Sequence, residues 1–261
     1  MRRAAALAAS CALALLASGG AAARPWSEIK QLGEAALCAN PNALPYASNQ
    51  PGAPGFQIEI ARALAQRLGV RLRVEWIVPR MRAATVDCDL LMDSITVPGV
   101  QPPSLRLSIP YHRSGVSLAF GSGREAVPSY RELSAGTRIG VIMNSLASLV
   151  VSRTPATMVP FGFEDDMLEA VARGEVAAGA ATAAAVGYYN LQHPGAPLTL
   201  VHAEDSEPEL RWPVAVGLRR ADDLLVENVN AALVQLLADG SIAAIYAKYG
   251  VEHRAPGAGK P

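Results

Sequence analysis

The chain has 261 residues, enough for one large domain or for two smaller lobes that each bury a core. Lysine plus arginine and aspartate plus glutamate both number 23, so no basic excess indicates a nucleic acid as partner. Apolar residues make up 51% and charged residues 18%, a balance that excludes an intrinsically disordered chain.

The N-terminus has the pattern of a secretory signal peptide. Arg2 and Arg3 precede an apolar, alanine-rich run over residues 4–18, and Ala21-Ala22-Ala23 follows. A basic start, a short apolar segment and small residues at the end predict cleavage after Ala23. The apolar run is shorter than the ~20 residues that cross a bilayer, and no later segment is long and apolar enough. We therefore predict a periplasmic protein without a membrane span after cleavage.

Two cysteines, Cys38 and Cys88, remain once Cys11 has left with the predicted signal peptide. An even pair in an oxidising compartment favours a disulfide over two buried thiols, because both residues lie on predicted strands that could be neighbours. The histidines are scattered, and no Cys-x-x-Cys or His-x-x-x-His spacing occurs. We therefore predict no metal site and no cofactor.

The first half of the chain alternates between strand and helix patterns. Strands are predicted at 36–39, 70–77 and 88–92, and a helix at 56–68 that ends at Gly69. This order is typical of a parallel sheet with crossover helices. A rigid loop at 40–46 follows the first strand, and the proline-rich segment 97–110 is predicted to be a loop as well.

A second strand and helix unit follows a predicted crossing strand at 116–120. Its strands are predicted at 138–143, 158–161, 176–180 and 198–201, and its helices at 146–151, 164–173 and 182–191. A strand at 212–218 crosses back. Two C-terminal helices are predicted after it, the first capped by Asp222 or Asp223 and the second by Ser241.

Two α/β units joined by two crossing strands predict a two-lobed fold with two hinge strands. Lobe 1 is predicted to comprise residues 24–118 and 219–253, and lobe 2 residues 119–218. The proline- and glycine-rich residues 254–261 are predicted to be a disordered tail.

Several segments resemble periplasmic solute-binding proteins of the amino-acid type. Gly55-Phe56 and the helix after it resemble the first helix of that family, and Pro110-Tyr111 resembles its approach to the first hinge. Asp239-Gly240-Ser241 and Lys248-Tyr249-Gly250 are similar to its C-terminal signature. The resemblance covers nearly all of the mature chain. It implies a cleft between two lobes, a small-molecule ligand and an ABC permease as partner.

A narrower resemblance is to binding-protein-like components encoded beside quinoprotein alcohol dehydrogenases. It rests on residues 37–42 (LCANPN), 88–92 (CDLLM) and 186–189 (VGYY), whereas 93–96 and 180–185 depart from the pattern of that group. It implies an accessory of a quinoprotein dehydrogenase, with a protein, a peptide or a cofactor in the cleft. A few relatives on this fold are periplasmic dehydratases, but no catalytic motif occurs in this chain, and we predict no enzyme activity.

The predicted ligand cleft lies beyond the C-terminal ends of the parallel strands. The polar and aromatic side chains at those ends are Asn42, Tyr46, Ser94, Thr96, Asn144, Ser145 and Thr182. Helix N-termini at this edge offer N–H groups to an anionic ligand. Asn42, Asn144 and Ser145 have an equally good explanation as residues that form turns and caps.

The family resemblance implies the pattern Ser-x-Thr-x-x-Arg, in which the arginine binds the ligand carboxylate. Ser94-Ile95-Thr96 is present, but Gly99 stands at the arginine position and Arg106 follows seven residues later. Arg106 is therefore a candidate cleft residue, and a solvated loop arginine is the favoured alternative. We expect no tight binding of free amino acids, because a carboxylate needs such a clamp when it leaves water.

Overall fold

The structure is a computed structural model that describes residues 24–78, 86, 88–96 and 104–256. The predicted signal peptide (1–23), Gly99 and the end of the predicted tail (257–261) lie outside these residues. The described residues form seven α-helices: α1 (Trp26–Leu32), α2 (Phe56–Leu68), α3 (Leu146–Val151), α4 (Glu164–Ala172), α5 (Ala183–Gln192), α6 (Asp223–Ala238) and α7 (Ser241–Lys248).

Eleven strands complete the described part of the fold. They are β1 (Glu34–Ala39), β2 (Asn42–Ala43), β3 (Ala47–Ser48), β4 (Arg71–Trp76), β5 (Leu90–Ile95), β6 (Leu105–Phe120), β7 (Arg138–Ile142), β8 (Thr157–Phe161), β9 (Ala178–Thr182), β10 (Thr199–Val201) and β11 (Arg211–Arg219). Strand β2, in the predicted loop at 40–46, forms a small hairpin with β3, which directly follows that loop. The prediction of an α/β fold is confirmed.

One long sheet runs through both parts of the protein, in the strand order β4-β1-β5-β11-β6-β9-β7-β8, with β10 also paired to β6. Strand β1 is parallel to β4 and β5, and β7 is parallel to β8 and β9. We call β1, β4 and β5 with α1, α2, α6 and α7 the first half. The second half comprises β7 to β10 with α3, α4 and α5.

Strand β6 belongs to both halves. Its residues up to Gly115 pair with β11, and Val116–Phe120 pairs with β9, beginning opposite Thr182. Strand β11 follows it between the halves. The largest hydrophobic cluster packs α2, α6 and α7 against the sheet of the first half, and two smaller clusters lie in the second half.

The predicted loop over 97–110 ends earlier than expected, because β6 begins at Leu105. Pro110 does not interrupt the strand. It lies opposite Ala215, where the register of β6 against β11 shifts on both sides of the pair. A β-bulge of this kind accommodates a proline, which lacks the N–H that a regular ladder needs.

One of the two predicted C-terminal helix caps is confirmed, and the other differs. Asp222 caps α6 and accepts a hydrogen bond from the Leu225 N–H at 2.9 Å, as one of the two predicted candidates. Helix α7, however, is capped by Gly240 rather than Ser241, which is its first helical residue. Gly240 has a φ of 76°, a left-handed conformation that glycine adopts without a steric penalty. Helix α1 was not predicted.

The predicted disordered tail begins with an ordered residue. The Arg254 guanidinium donates to Glu204 at 2.9 Å and to Asp205 at 2.6 Å. No single helix in the described part of the chain has the length and hydrophobicity to cross a bilayer. Helices α6 and α7 meet those criteria only when taken together as a pair bent by 70°.

Candidate functional site

A cavity of about 770 Å³ lies where the C-terminal ends of β1 and β5 meet β6, β11 and the start of α5. Five aromatic residues form much of its wall: Tyr46, Phe56, Tyr111, Trp212 and Tyr246. Its polar lining comprises Asn40, Gln57, Asp93, Ser94, His112, Ser114 and Thr182. Among the described lining residues, Asp93 is the single acidic residue, and none is a lysine or an arginine.

The predicted disulfide between Cys38 and Cys88 is confirmed, and it borders this cavity. The two Cα atoms are 5.6 Å apart. They approach because β1 and β5 are neighbours in the sheet, with Leu37 opposite Leu90. Cys38 is one of the lining residues, so the crosslink fixes the wall of the cavity at the end of β1.

The aromatic wall is tightly packed. The ring centroids of Tyr46 and Phe56 are 5.0 Å apart, and those of Phe56 and Tyr246 are 4.6 Å apart. The buried Tyr111 donates its hydroxyl hydrogen to the carbonyl oxygen of Met92. Because these rings pack against one another and this hydroxyl is bonded internally, the wall offers an occupant mainly apolar surface.

His112 is the most unusual titratable group at the cavity. It is only 8% exposed, its ring stacks on that of Tyr246 at 4.5 Å, and its Nδ1 atom has no hydrogen-bond partner. Burial, followed by the nearby His253, lowers the pKa of His112 to about 3. The imidazole is therefore neutral at physiological pH, which keeps this part of the cavity uncharged.

A chain of hydrogen bonds crosses the cavity from the first half to the second. The Tyr46 hydroxyl donates to Thr182 Oγ1 at 3.0 Å. Thr182 in turn donates its backbone N–H to Glu164 Oε1 at 2.7 Å and its hydroxyl to Glu164 Oε2 at 3.2 Å. Burial raises the pKa of Glu164, and the bonds from Thr182 partly offset this. Burial, then the charge of Glu164, raises the pKa of Tyr46.

Three of the predicted site residues, Tyr46, Ser94 and Thr182, lie together in the cavity lining. Thr96 follows β5, and its backbone N–H donates to the Pro213 carbonyl at 3.1 Å. Thr96 is not among the described residues that line the cavity. The choice of cleft residues stays a prediction, since proximity to a cavity does not establish a ligand contact.

Asn42, Asn144 and Ser145 are placed in turns and caps instead. Asn42 is exposed and pairs with Ser48 in the small hairpin. Asn144 has a positive φ of 57°, and Ser145 accepts a hydrogen bond from the Ser148 N–H as the cap of α3. These are the structural roles that the sequence offered as the alternative to ligand binding.

Arg106 is placed away from the cavity. Its guanidinium donates to the Ala221 carbonyl at 3.3 Å and to the Asp223 carboxylate at 2.7 Å, at the start of α6. The candidate role in the cleft did not account for β6, and the favoured alternative of a loop arginine did not either. Because β6 begins at Leu105, Arg106 lies within a strand, opposite Leu218 of β11.

Most of the lining residues were not predicted as site residues, and neither was Glu164, which bonds the lining residue Thr182. Of the lining residues, His112 and Trp212 lie on β6 and β11, and their distance along the chain gives no sign that they meet at a cavity. Glu164 begins α4, where an acidic residue is already explained by the positive end of the helix dipole. Only the fold brings it to Thr182, 18 positions later.

Comparisons with known proteins agree with this architecture. The sequence pattern of a family described as "Bacterial extracellular solute-binding proteins, family 3" matches residues 36–252. No curated protein sequence gives a significant match. Many solved structures are similar, and the predicted two-lobed periplasmic-binding-protein fold is confirmed.

Three of these structures illustrate the range. A polar amino acid ABC uptake transporter substrate binding protein from Streptococcus thermophilus is 17% identical, with a TM-score of 0.70 over 88% of this chain and 91% of that chain. MxaJ from "Methlophaga aminisulfidivorans MPT" is 17% identical, with a TM-score of 0.66 over 84% and 100%. The ancestral amino acid-binding protein AncCDT-1, "a precursor of cyclohexadienyl dehydratase", is 19% identical, with a TM-score of 0.63 over 86% and 98%. At these identities the likeness shows the fold alone.

Proposed function

We propose a function from one premise: the chain belongs to family 3 of the bacterial extracellular solute-binding proteins. Within this family we propose a periplasmic, non-enzymatic accessory of a quinoprotein alcohol dehydrogenase system, exported by its signal peptide. Its cleft takes an occupant other than a free amino acid.

The absence of a cationic side chain from the described part of the cavity lining is the observation that carries this proposal. The described lining residues include no lysine or arginine, and Arg106 is bonded to Asp223 outside the cavity. A ligand carboxylate that leaves water needs a cation with matched hydrogen bonds, and arginine is the usual one. A lining of aromatic rings, with no lysine or arginine among its described residues, disfavours a carboxylate and favours an apolar or peptide-like occupant.

The segments that resemble the quinoprotein-associated group support the same role. Residues 37–42 and 88–92 contain the disulfide and part of the cavity wall, and 186–189 lie on α5, which contacts the first half. The resemblance thus falls on residues that shape the cavity and the junction between the halves. The likeness to MxaJ, which shows the fold, is consistent with this subgroup.

The test is association between two purified proteins. The mature chain is mixed with the quinoprotein alcohol dehydrogenase of the same organism, and the mixture is analysed by size-exclusion chromatography and by thermal unfolding. We expect co-elution and a raised melting temperature, because a partner that binds the folded state stabilises it. Separate elution with unchanged melting at concentrations of about 100 μM would count against the accessory role.

A second candidate is a solute receptor that delivers its ligand to an ABC permease. The fold shared with the S. thermophilus transporter binding protein favours it. Genes for a permease and an ATPase beside this one would support it, whereas genes for a dehydrogenase and a cytochrome would support the accessory role. The dehydratase alternative has only the likeness to AncCDT-1 in its favour, and we do not propose it.

A further inference from the structure

Helix α5 connects the two halves independently of the strands that run between them. It belongs to the second half, yet Ala184 is buried in the hydrophobic cluster of the first half and Tyr188 packs against that cluster. Gly187 lies so close to Gly250 that a Cβ atom on Gly187 would overlap the Gly250 carbonyl oxygen. The two backbones thus meet where neither residue has a side chain.

The hydrogen bonds at the start of α5 fix its first turn at the cavity. Thr182 caps the helix and accepts a bond from the Ala185 N–H at 3.2 Å. The same hydroxyl accepts from Tyr46 and donates to Glu164, so its hydrogen-bonding capacity is fully used. Glu164 bonds both the backbone and the side chain of Thr182, which holds the hydroxyl in one orientation.

Tyr46 is equally constrained on the other side. Its ring packs on Phe56, and its backbone carbonyl accepts from the Gln57 N–H at 2.9 Å. Gly55 fits against the Tyr46 backbone only because it lacks a Cβ. The bond from Tyr46 to Thr182 therefore joins two rigid groups, one on each side of the cavity.

We propose that Glu164 is a positioning residue of the cleft, which acts through Thr182 and Tyr46 to set the distance between the two walls of the cavity. This inference rests on the proposed binding function. The width of the cavity is then set before an occupant arrives, so an occupant is selected by its fit to a preformed cleft. An occupant that needs a wider cleft binds only at the cost of breaking the Tyr46–Thr182 bond.

The first test removes a single hydroxyl group. Tyr46→Phe deletes the bond to Thr182 and keeps the ring against Phe56. We expect amide exchange in the first turn of α5 to become about 2- to 10-fold faster, the loss of one typical hydrogen bond, and the radius of gyration in solution scattering to rise. Glu164→Gln should shift both quantities in the same direction. Exchange and radius equal to those of the unchanged protein would overturn the proposal.

Tyr130→Phe is the matched control. The Tyr130 hydroxyl is also buried and bonded, to the carbonyl oxygens of Val116 and Ser117, but it lies in the second half and does not line the cavity. It should leave the exchange of α5 and the radius of gyration unchanged. An equal effect of the Tyr130 and Tyr46 variants would show a general loss of stability and would also overturn the proposal.

The second test inserts a wedge where the halves meet. Gly187→Ala adds a methyl group that collides with the backbone of Gly250. Alanine is a better helix former than glycine, so a loss of helix propensity in α5 would not explain the effect. We expect the halves to separate, with a larger radius of gyration and faster exchange at the start of α5. Gly195→Ala, where nothing lies within 4 Å of the added atom, is the control and should change neither quantity. A Gly187 variant with an unchanged radius of gyration and unchanged amide exchange would contradict the coupling of the two halves through α5.

These readouts need neither a ligand nor a partner protein. If the dehydrogenase fails to bind while the Tyr46 and Gly187 variants behave as expected, the accessory role is lost and the positioning role of Glu164 stands. If the dehydrogenase binds and the variants leave exchange and radius unchanged, the positioning role is lost and the accessory role stands.

Discussion

At the scale of single residues, burial decides which groups are ionised. The neutral state of His112 follows from its burial beside Tyr246 and from the repulsion by His253, Arg254 and Arg113. In the unfolded chain the same imidazole has a pKa near 6.5. Below that pH the unfolded chain takes up a proton that the folded protein does not, so the stability contributed by neutral His112 is complete above pH 6.5 and is lost as the pH falls toward 3.

His112→Phe should remove this pH dependence while it keeps a ring against Tyr246. Between pH 7 and pH 5 we expect the free energy of unfolding of the unchanged protein to fall by about 2 kcal/mol more than that of the variant. Urea unfolding at pH 7, 6 and 5 measures both. The bond to Glu204 raises the pKa of His202, so His202 contributes a pH dependence of stability with the opposite sign. This contribution is the same in both proteins and cancels in the difference between them. Parallel pH profiles would contradict the assignment.

The buried ion pair between Arg24 and Asp89 provides a second prediction. Asp89 is 3% exposed, and it also accepts from the Ala36 N–H at 2.7 Å. Asp89→Asn breaks this buried pair, and the loss of one partner of a buried ion pair typically costs about 3–5 kcal/mol. The Asp223 side chain is 84% exposed in its pair with Arg106, so Asp223→Asn should cost less than about 1 kcal/mol. Urea unfolding measures both variants, and an equal loss of unfolding free energy in the two would refute this prediction.

At the scale of the elements, the disulfide joins β1 to the segment just before β5, its neighbour in the sheet. It closes a loop of 50 positions between Cys38 of β1 and Cys88, two residues before β5 begins. Cys38→Ala with Cys88→Ala should lower the free energy of unfolding by about 4 kcal/mol, the chain-entropy value for such a loop. Thiol titration of the unfolded, unreduced mature protein checks the bond itself, and two free thiols would sink the prediction.

Local patterns predicted these elements well where the determinants are local. The apolar spacing and the flanking glycines located α2, and the even cysteine pair indicated the disulfide. The continuation of β6 through Pro110 was missed because it depends on a bulge opposite Ala215, which no local pattern encodes. For the same reason Arg106 was considered for the cleft, and the bond between Tyr46 and Thr182, 136 positions apart, was not foreseen.

At the scale of the whole molecule, the connections between the halves form more than a simple hinge. Strands β6 and β11 run between them, α5 contacts the first half, and the C-terminal Arg254 bonds Glu204 and Asp205 in the segment between β10 and β11. Glu204 is buried and also accepts from the Ser117 hydroxyl of β6 at 2.9 Å. Because the C-terminal segment is bonded beside this strand, the relative position of the halves depends on residues far from the cavity.

The last prediction concerns the occupant of the cavity. Calorimetry of the mature protein against the twenty standard amino acids should give no submicromolar binding, because no lysine or arginine is among the described lining residues and Arg106 is bonded to Asp223 outside the cavity. One missing charge-assisted pair alone weakens binding by ~1.5–3 kcal/mol, or roughly ten- to a hundredfold. Submicromolar binding of any amino acid, abolished by Arg106→Ala, would restore the transport role. If Arg106→Ala changes only the stability, by less than about 1 kcal/mol, then Arg106 serves to bond the start of α6 through Ala221 and Asp223 and does not bind the occupant. The occupant is then selected by the aromatic wall and by the preset width of the cleft.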